Sequence, residues 1–423
     1  KLPASQLLLK RFLELIMVWL APTTGCMMAK HLMSEGEGLR MKNNLMAAKS
    51  LNSNLHKASK AKNDEFYTQL VDIEKELKHY KDQFRGKIVY CNCDDPFESN
   101  FFKYFAVNFN ALGLKRLMAT SYKPSPIANT QLGLFGDSKV LNTPKGRPKV
   151  TANRLIINEV KDMNGDGAFD LRDMAEQLKA NKHNDWAPLE GEGDFRSTES
   201  IELLKQADIV VTNPPFSLFR EYVTQLVEYK KKFVIIGNTN ALTYREIFKL
   251  IKDNKLRTGY TNFNVGMFFV VPDDWELFHH KDENGRKIAR VSTSCWFTNM
   301  EVEKHKEYLT LYKKYNSEEY PKYENYNAIN INKYTDIPCD YGGAMGVPIT
   351  FVDKFNPDQF EIIGLGISNS GKEIGVNPYK AEHKKYRKEI QKRGAVDGDL
   401  YLMSNGIVDV PYARVLIKNK QIK

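Results

Sequence analysis

The chain has 423 residues, 42% of them hydrophobic and 11% aromatic, which excludes general disorder and makes a catalytic domain plus a second module the default expectation. The formal net charge of +10 is unevenly placed: residues 1–63 carry 10 Lys and Arg against 3 Asp and Glu, residues 372–423 carry 12 against 6, and the middle is slightly acidic. Basic ends suit a polyanion, because neutralised phosphates release counterions; a solvated basic surface is an equal reading of charge alone.

Five cysteines, Cys26, Cys91, Cys93, Cys295 and Cys339, form neither a disulfide framework nor a zinc-ligand spacing, so a reducing cytoplasm is expected. The apolar run Phe12 to Ala21 is broken by Glu14 and is far shorter than the roughly 20 residues of a spanning helix. Lys10 and Arg11 precede it as in a signal peptide, but no small-residue cleavage site follows. No membrane association is expected. Met41 opens a polar, basic stretch, so residues 1–40 are expected to lie upstream of the functional start and 1–60 to form a disordered basic extension.

From Ala61 the pattern is regular. Leu70, Ile73, Leu77 and Tyr80 recur at helical spacing, the run KIVYCNC after Gly86 reads as a buried strand, SNFFKYFAVNFNALG as an aromatic helix stopped by Gly113, and LKRLMATSY as a second strand. Residues 123–190, rich in Pro, Gly, Asn and Lys, read as an insertion with one strand at 154–160 and one helix at 171–179. Helix 200–206, strand 207–212, helix 217–230, strand 232–237, a helix near 244–253 and strands at 265–271 and 291–298 follow. This alternation predicts a doubly wound, mostly parallel α/β sheet, a catalytic domain over 61–300, and a mixed region over 301–423.

The most specific signal is an apolar strand running into Asn213-Pro214-Pro215-Phe216. Parallel sheets bind ligands beyond the carboxyl ends of their strands, so the tetrapeptide reaches that edge. Two prolines fix the backbone, and the Asn213 side-chain oxygen and Pro214 carbonyl are both acceptors. An exocyclic amine is a poor nucleophile because its lone pair is delocalised; two acceptors on its N–H groups localise that pair, while Phe216 offers a stacking surface. Attack on a sulfonium methyl needs positioning and charge complementarity without a covalent intermediate. The competing reading, a plain Asn-Pro-Pro turn, is weakened by the strand before it and the helix after it. Asp194 and Phe195 lie about twenty residues earlier, in a loop that would face the same pocket. Phe66-Tyr67-Thr68 precedes the first strand and can fold over a cofactor.

These motifs resemble the amino-methyltransferase superfamily. DEFYTQ, VYCNCDDP, SNFFKYFAVNF, GDFRS, SIELLKQADIVVTNPPFSLF, YPKYENYNAIN and GAMGVPITFVDKFNP together resemble the EcoRI-type adenine-specific DNA modification methylases, over about 64–359 with a short echo at YARVLIKNK. The resemblance implies a Rossmann-like fold, S-adenosylmethionine as cofactor, N6-adenine methylation of a flipped base in duplex DNA by a monomer, and protection of DNA from a partner endonuclease that it does not itself contact. It implies that Asn213, Pro214, Pro215 and Phe216 bind the adenine, and that Asn92, Asp94 and Asp95 line the cofactor site with Phe66, Tyr67, Thr68, Asp194 and Phe195. Two departures stand out: Cys93-Asp94-Asp95-Pro96 replaces the usual Gly-x-Gly turn, and no acidic residue ends the second strand at Thr120-Ser121-Tyr122. An amine methyltransferase of RNA or of protein glutamine, and an inactive DNA-binding relative, are the alternatives.

Asp162, Asn164, Asp166, Asp170 and Asp173, with Gly167, match a calcium loop, although position 12 is the shorter Asp and a strand precedes it; an Asx-turn in the insertion is the competing reading, and calcium is not expected to be catalytic. Pro338-Cys339 lies far past the tetrapeptide and does not read as a methylase nucleophile.

Overall fold

A computed structural model of the protein describes residues 67–94, 99–122, 152–163, 183–271 and 275–422. All of them belong to one compact unit, Lys57–Lys423. The N-terminal extension, Phe66, Asp95, the helix expected at 171–179, and Asn164, Asp166, Asp170 and Asp173 of the calcium loop lie outside the described residues.

Tyr67–Thr68 is a short strand, β1. The apolar stripe beyond it forms α1 (Leu70–Leu77), continued by a 3₁₀ segment, Lys78–Phe84, that buries Tyr80 and Phe84. The run after Gly86 becomes β2 (Ile88–Cys91). Ser99 caps α2 (Asn100–Val107), its hydroxyl accepting from the Phe101 and Phe102 amides. Next, α3 (Phe109–Leu112) ends on Gly113, whose φ of 62° is the left-handed geometry of a helix stop. The chain continues through β3 (Arg116–Thr120), β4 (Asn153–Ile157), β5 (Asp185–Pro188), α4 (Thr198–Gln206), β6 (Ile209–Thr212), α5 (Phe219–Glu228), β7 (Lys232–Asn238), α6 (Arg245–Lys252), β8 (Arg257–Thr258), β9 (Met267–Val270), β10 (His280–Lys281), β11 (Lys287–Val291) and β12 (Ser294–Thr298).

Eight of these strands form one sheet in the order β5-β4-β3-β2-β6-β7-β12-β8. The four central strands, β3-β2-β6-β7, are parallel. Both flanks are antiparallel, so the sheet is mixed where a mostly parallel one was expected. Hydrophobic period identifies a buried strand but carries no information on its direction. The strand expected within the insertion extends this sheet as β4. The edge strand β5 was not anticipated, because its largely exposed residues show no apolar alternation. A second sheet, β1-β9-β11-β10, is antiparallel and pins Tyr67 opposite Val270 and Thr68 opposite Phe269.

Past residue 300 come β13 (Ile329–Asn330), β14 (Met345–Pro348), β15 (Phe360–Leu365), α7 (Ser368–Glu373), α8 (Ala381–Glu389), the hairpin β16–β17 (Leu402–Ser404 and Ile407–Asp409) and β18 (Arg414–Asn419). A third sheet runs β13-β14-β18-β15. It shares its apolar core with the main sheet: Val210, Tyr222, Phe233 and Phe297 belong to the same buried cluster as Met345, Phe351, Ile362 and Val415. Lys304 and Asp353 form a buried ion pair at this junction, and Asp353 also accepts from Thr258 Oγ1 at 3.0 Å. No helix among the described residues is long and apolar enough to cross a membrane.

Candidate active site

Strand β6 delivers the tetrapeptide. Ile209, Val210, Val211 and Thr212 are all buried, paired with β2 on one side and β7 on the other. The strand is held in place by packing from both faces and by ladders from both neighbours. Its last residue is followed at once by Asn213, which is buried to 7% exposure. Pro214 is buried, Phe216 is half-buried, and a 3₁₀ turn, Phe216–Leu218, leads into α5. The Pro215 carbonyl accepts from the Leu218 amide at 3.0 Å, which closes the turn. Asn213, Pro214, Pro215 and Phe216 therefore stand at the carboxyl end of a central parallel strand.

Beside them lies the end of β2. Asn92 is 1% exposed, and its side-chain oxygen accepts from the phenol of Tyr222 on α5. Asp94 accepts from Thr212 Oγ1 with one oxygen and from Ser99 Oγ, at 2.9 Å, with the other. Thr120, at the end of β3, shares a 2.9 Å hydrogen bond with the Tyr90 phenol and donates to the Asn92 carbonyl at 3.3 Å. Asn100 Nδ2 reaches across to the Thr68 carbonyl at 2.7 Å, so β1 is tied to the start of α2. Burial pushes the hydroxyls of Tyr90 and Tyr222 and the thiol of Cys91 well above their ordinary pKa values.

Asp194 and Phe195 reach the neighbouring end of β3. Gly193 has φ of 77°, and a Cβ there would stand 2.0 Å from the Ser121 carbonyl oxygen, so only glycine permits this close approach. Phe195 is buried and meets Tyr222 edge-on at 5.1 Å. The Asp194 carboxylate is held by Arg196, which also pairs with Glu221 on α5 at 2.9 Å.

The structure thus gathers Tyr67, Thr68, Asn92, Asp94, Asp194, Phe195 and the tetrapeptide around the carboxyl ends of β2, β3 and β6. Sequence reasoning missed Thr212, Tyr222, Ser99 and Asn100, which hold these segments to one another. Only Ser99 left a local signal, as an N-cap before an apolar helix. Among the described residues no cluster of three or more His, Cys, Asp or Glu forms a metal site, and Cys91, Cys93, Cys295 and Cys339 form no disulfide with one another.

The family profile for the adenine-specific methyltransferase EcoRI matches residues 54–420. The chain belongs to the EcoRI-type adenine-specific DNA methyltransferases. It is 43% identical to the type II methyltransferase M.EcoRI of Escherichia coli over 89% of this chain and the whole of that protein. It is 38% identical to the type II methyltransferase M.MpnI of Mycoplasma pneumoniae, over 73% of this chain and 84% of that one. A third relative, the type II methyltransferase M.MgeORF184P of Mycoplasma genitalium, is 36% identical over the same shares. No solved structure matches the chain. This adenine-specific DNA methyltransferase is an enzyme with DNA as its substrate, and nothing favours RNA or protein glutamine in its place.

Proposed function

We propose that the enzyme binds S-adenosylmethionine at the carboxyl ends of β2 and β3 and transfers its methyl group to the N6 amine of an adenine flipped onto Asn213, Pro214, Pro215 and Phe216. The single observation that carries this is the position of the tetrapeptide at the end of β6. Strand order reverses between β2 and β6, as in a doubly wound Rossmann-like sheet, and ligands bind where such a reversal opens a crevice.

Two orphaned atoms fit the cofactor. Thr68 Oγ1 and Asn92 Nδ2 are buried, and neither has a hydrogen-bond partner among the described residues. Leaving such groups unpaired is costly, and a polar ligand rich in hydroxyl, amine and carboxylate groups satisfies them. Asp194, carried to the end of β3 by the Gly193 turn, supplies an acid at the position where Thr120-Ser121-Tyr122 lacks one. S-adenosylmethionine supplies an electrophilic methyl group when bound.

The protein's own residues do the remaining work. Asn213 and the Pro214 carbonyl accept from the amine and orient its lone pair, the half-buried Phe216 ring stacks on the base, and the apolar surroundings exclude water. In this reading residues 61–300 form the catalytic part and 301–423 grip duplex DNA. Within the latter, α8 buries none of its residues and, with the turn after it, exposes Lys385, Lys388, Lys392 and Arg393. The enzyme acts as a monomer in the cytoplasm, as the modification half of a restriction–modification pair.

Transfer of a tritiated methyl group to duplex DNA tests the proposal. Asn213→Ala should lower turnover on the order of 10²–10³-fold, by analogy with removing one polar contact from a transition state, while DNA affinity changes little. Near-normal turnover would sink the mechanism.

A further inference from the structure

We propose that Thr212 and Tyr222 are positioning residues that couple the orientation of the tetrapeptide to the cofactor-side loop at Asn92 and Asp94. The inference rests on the reading of the tetrapeptide and of that loop given above.

Thr212 is fully buried and is the residue immediately before Asn213. It donates through Oγ1 to Asp94. The other Asp94 oxygen accepts from Ser99, whose hydroxyl also caps α2 by accepting from the Phe101 and Phe102 amides. Asn100, the next residue, holds the Thr68 carbonyl. A continuous path of covalent and hydrogen bonds therefore runs from Thr68 through Asn100, Ser99 and Asp94 to Thr212 and Asn213.

A second tie lies on the other side of the tetrapeptide. Tyr222 is fully buried on α5, the helix that follows it, and donates to Asn92 Oδ1. Both ties end on the same short loop, one arriving from before the tetrapeptide and one from after it. The two ends of the Asn92 amide cannot turn independently. An acceptor drawn to the orphaned Nδ2 fixes the plane of the group, and with it the oxygen that receives the Tyr222 phenol. A ligand on the cofactor side thus sets the direction of α5 and of the turn before it. These contacts lie among buried polar groups, where each lost partner is felt strongly.

Three variants test the coupling: Thr212→Val keeps the shape and removes the donor, Thr212→Ser keeps the donor, and Tyr222→Phe removes one oxygen while the ring stays packed on Phe195. Each is measured for single-turnover methyl transfer on pre-bound duplex DNA, normalised to the folded fraction. Affinities for DNA and for sinefungin, an unreactive cofactor analogue, are measured by calorimetry. Thr212→Val and Tyr222→Phe should slow transfer about tenfold or more, since small misplacements of reacting groups are heavily penalised, with DNA affinity retained. Tyr222→Phe should also weaken sinefungin binding several-fold, and Thr212→Ser should return the rate to within about twofold of the parent. Transfer within about twofold of the parent in either Thr212→Val or Tyr222→Phe, or a Thr212→Ser variant as slow as Thr212→Val, overturns the inference. An inactive Asn213→Ala beside a normal Thr212→Val would sink the coupling alone, whereas an active Asn213→Ala would sink the reading beneath it.

Discussion

Arg196 holds both carboxylate oxygens of Asp194, through Nε at 2.9 Å and Nη2 at 2.7 Å, while Nη1 reaches Glu221 on α5 at 2.9 Å. A fork of this kind fixes the plane of the carboxylate as well as its charge. The side chains are partly exposed, so the pair itself contributes about 1 kcal/mol or less to stability. Arg196→Ala should therefore leave the urea midpoint nearly unchanged and raise the KM for S-adenosylmethionine several-fold. An unchanged KM would assign the pair to surface structure.

Gly193→Ala should be far more damaging than a single methyl group suggests. The added Cβ would fall 2.0 Å from the Ser121 oxygen, at a φ of 77° that L residues rarely adopt. The loop carrying Asp194 and Phe195 must lift off the end of β3, at a cost of about 2–3 kcal/mol. Denaturation in urea, with cofactor affinity measured on the folded fraction, checks both effects. Wild-type stability would show that the loop has room the structure denies it.

Lys304→Met should destabilise the protein by about 3 kcal/mol, because it removes the buried partner of Asp353 and leaves the carboxylate only the more distant, partly exposed Lys354, at 3.7 Å. Lys304 and Asp353 are both under one-tenth exposed. Lys304 also donates to the carbonyls of Gly259 and Tyr260, at 3.1 and 3.2 Å, so two acceptors are orphaned as well. Urea titration reads the effect, and a loss below about 1 kcal/mol would mean that the site is wetter than its burial indicates.

His305 carries a pH dependence of defined sign. Burial, and then the nearby Arg257 charge, push its pKa from 6.5 down to about 4, and the neutral ring donates from Nε2 to the Thr258 carbonyl at 2.8 Å. Between those two values the unfolded chain takes up a proton that the folded one refuses. Stability contributed above pH 6.5 is therefore lost as pH falls through this window, up to about 3 kcal/mol in full. His305→Gln keeps a donor without the titration and should flatten the slope between pH 5 and 6.5. Parallel slopes for the two proteins would contradict the assignment.

Much of the site was legible in the chain order. An apolar strand that ends on Asn213-Pro214-Pro215-Phe216 has its position on a sheet largely decided, because burial, proline geometry and the following helix all act within about fifteen consecutive residues. The N-cap at Ser99 and the helix stop at Gly113 are equally local. Such features depend on backbone preference and hydrophobic period, both of which a sequence displays directly.

What the sequence by itself determined was a buried strand running into Asn213-Pro214-Pro215-Phe216, and blocks of residues shared with one methyltransferase family. Only the tertiary structure decided that β4, β5, β8 and β12 pair antiparallel with their neighbours, that the strand Tyr67–Thr68 is held by β9, and that Thr212 and Tyr222 close on Asp94 and Asn92. The β1–β9 pairing and the two side-chain contacts join residues more than a hundred positions apart. A single threonine or tyrosine carries no mark of the partner that folding will bring to it, since the hydrogen bond exists only once two separate segments have packed side by side.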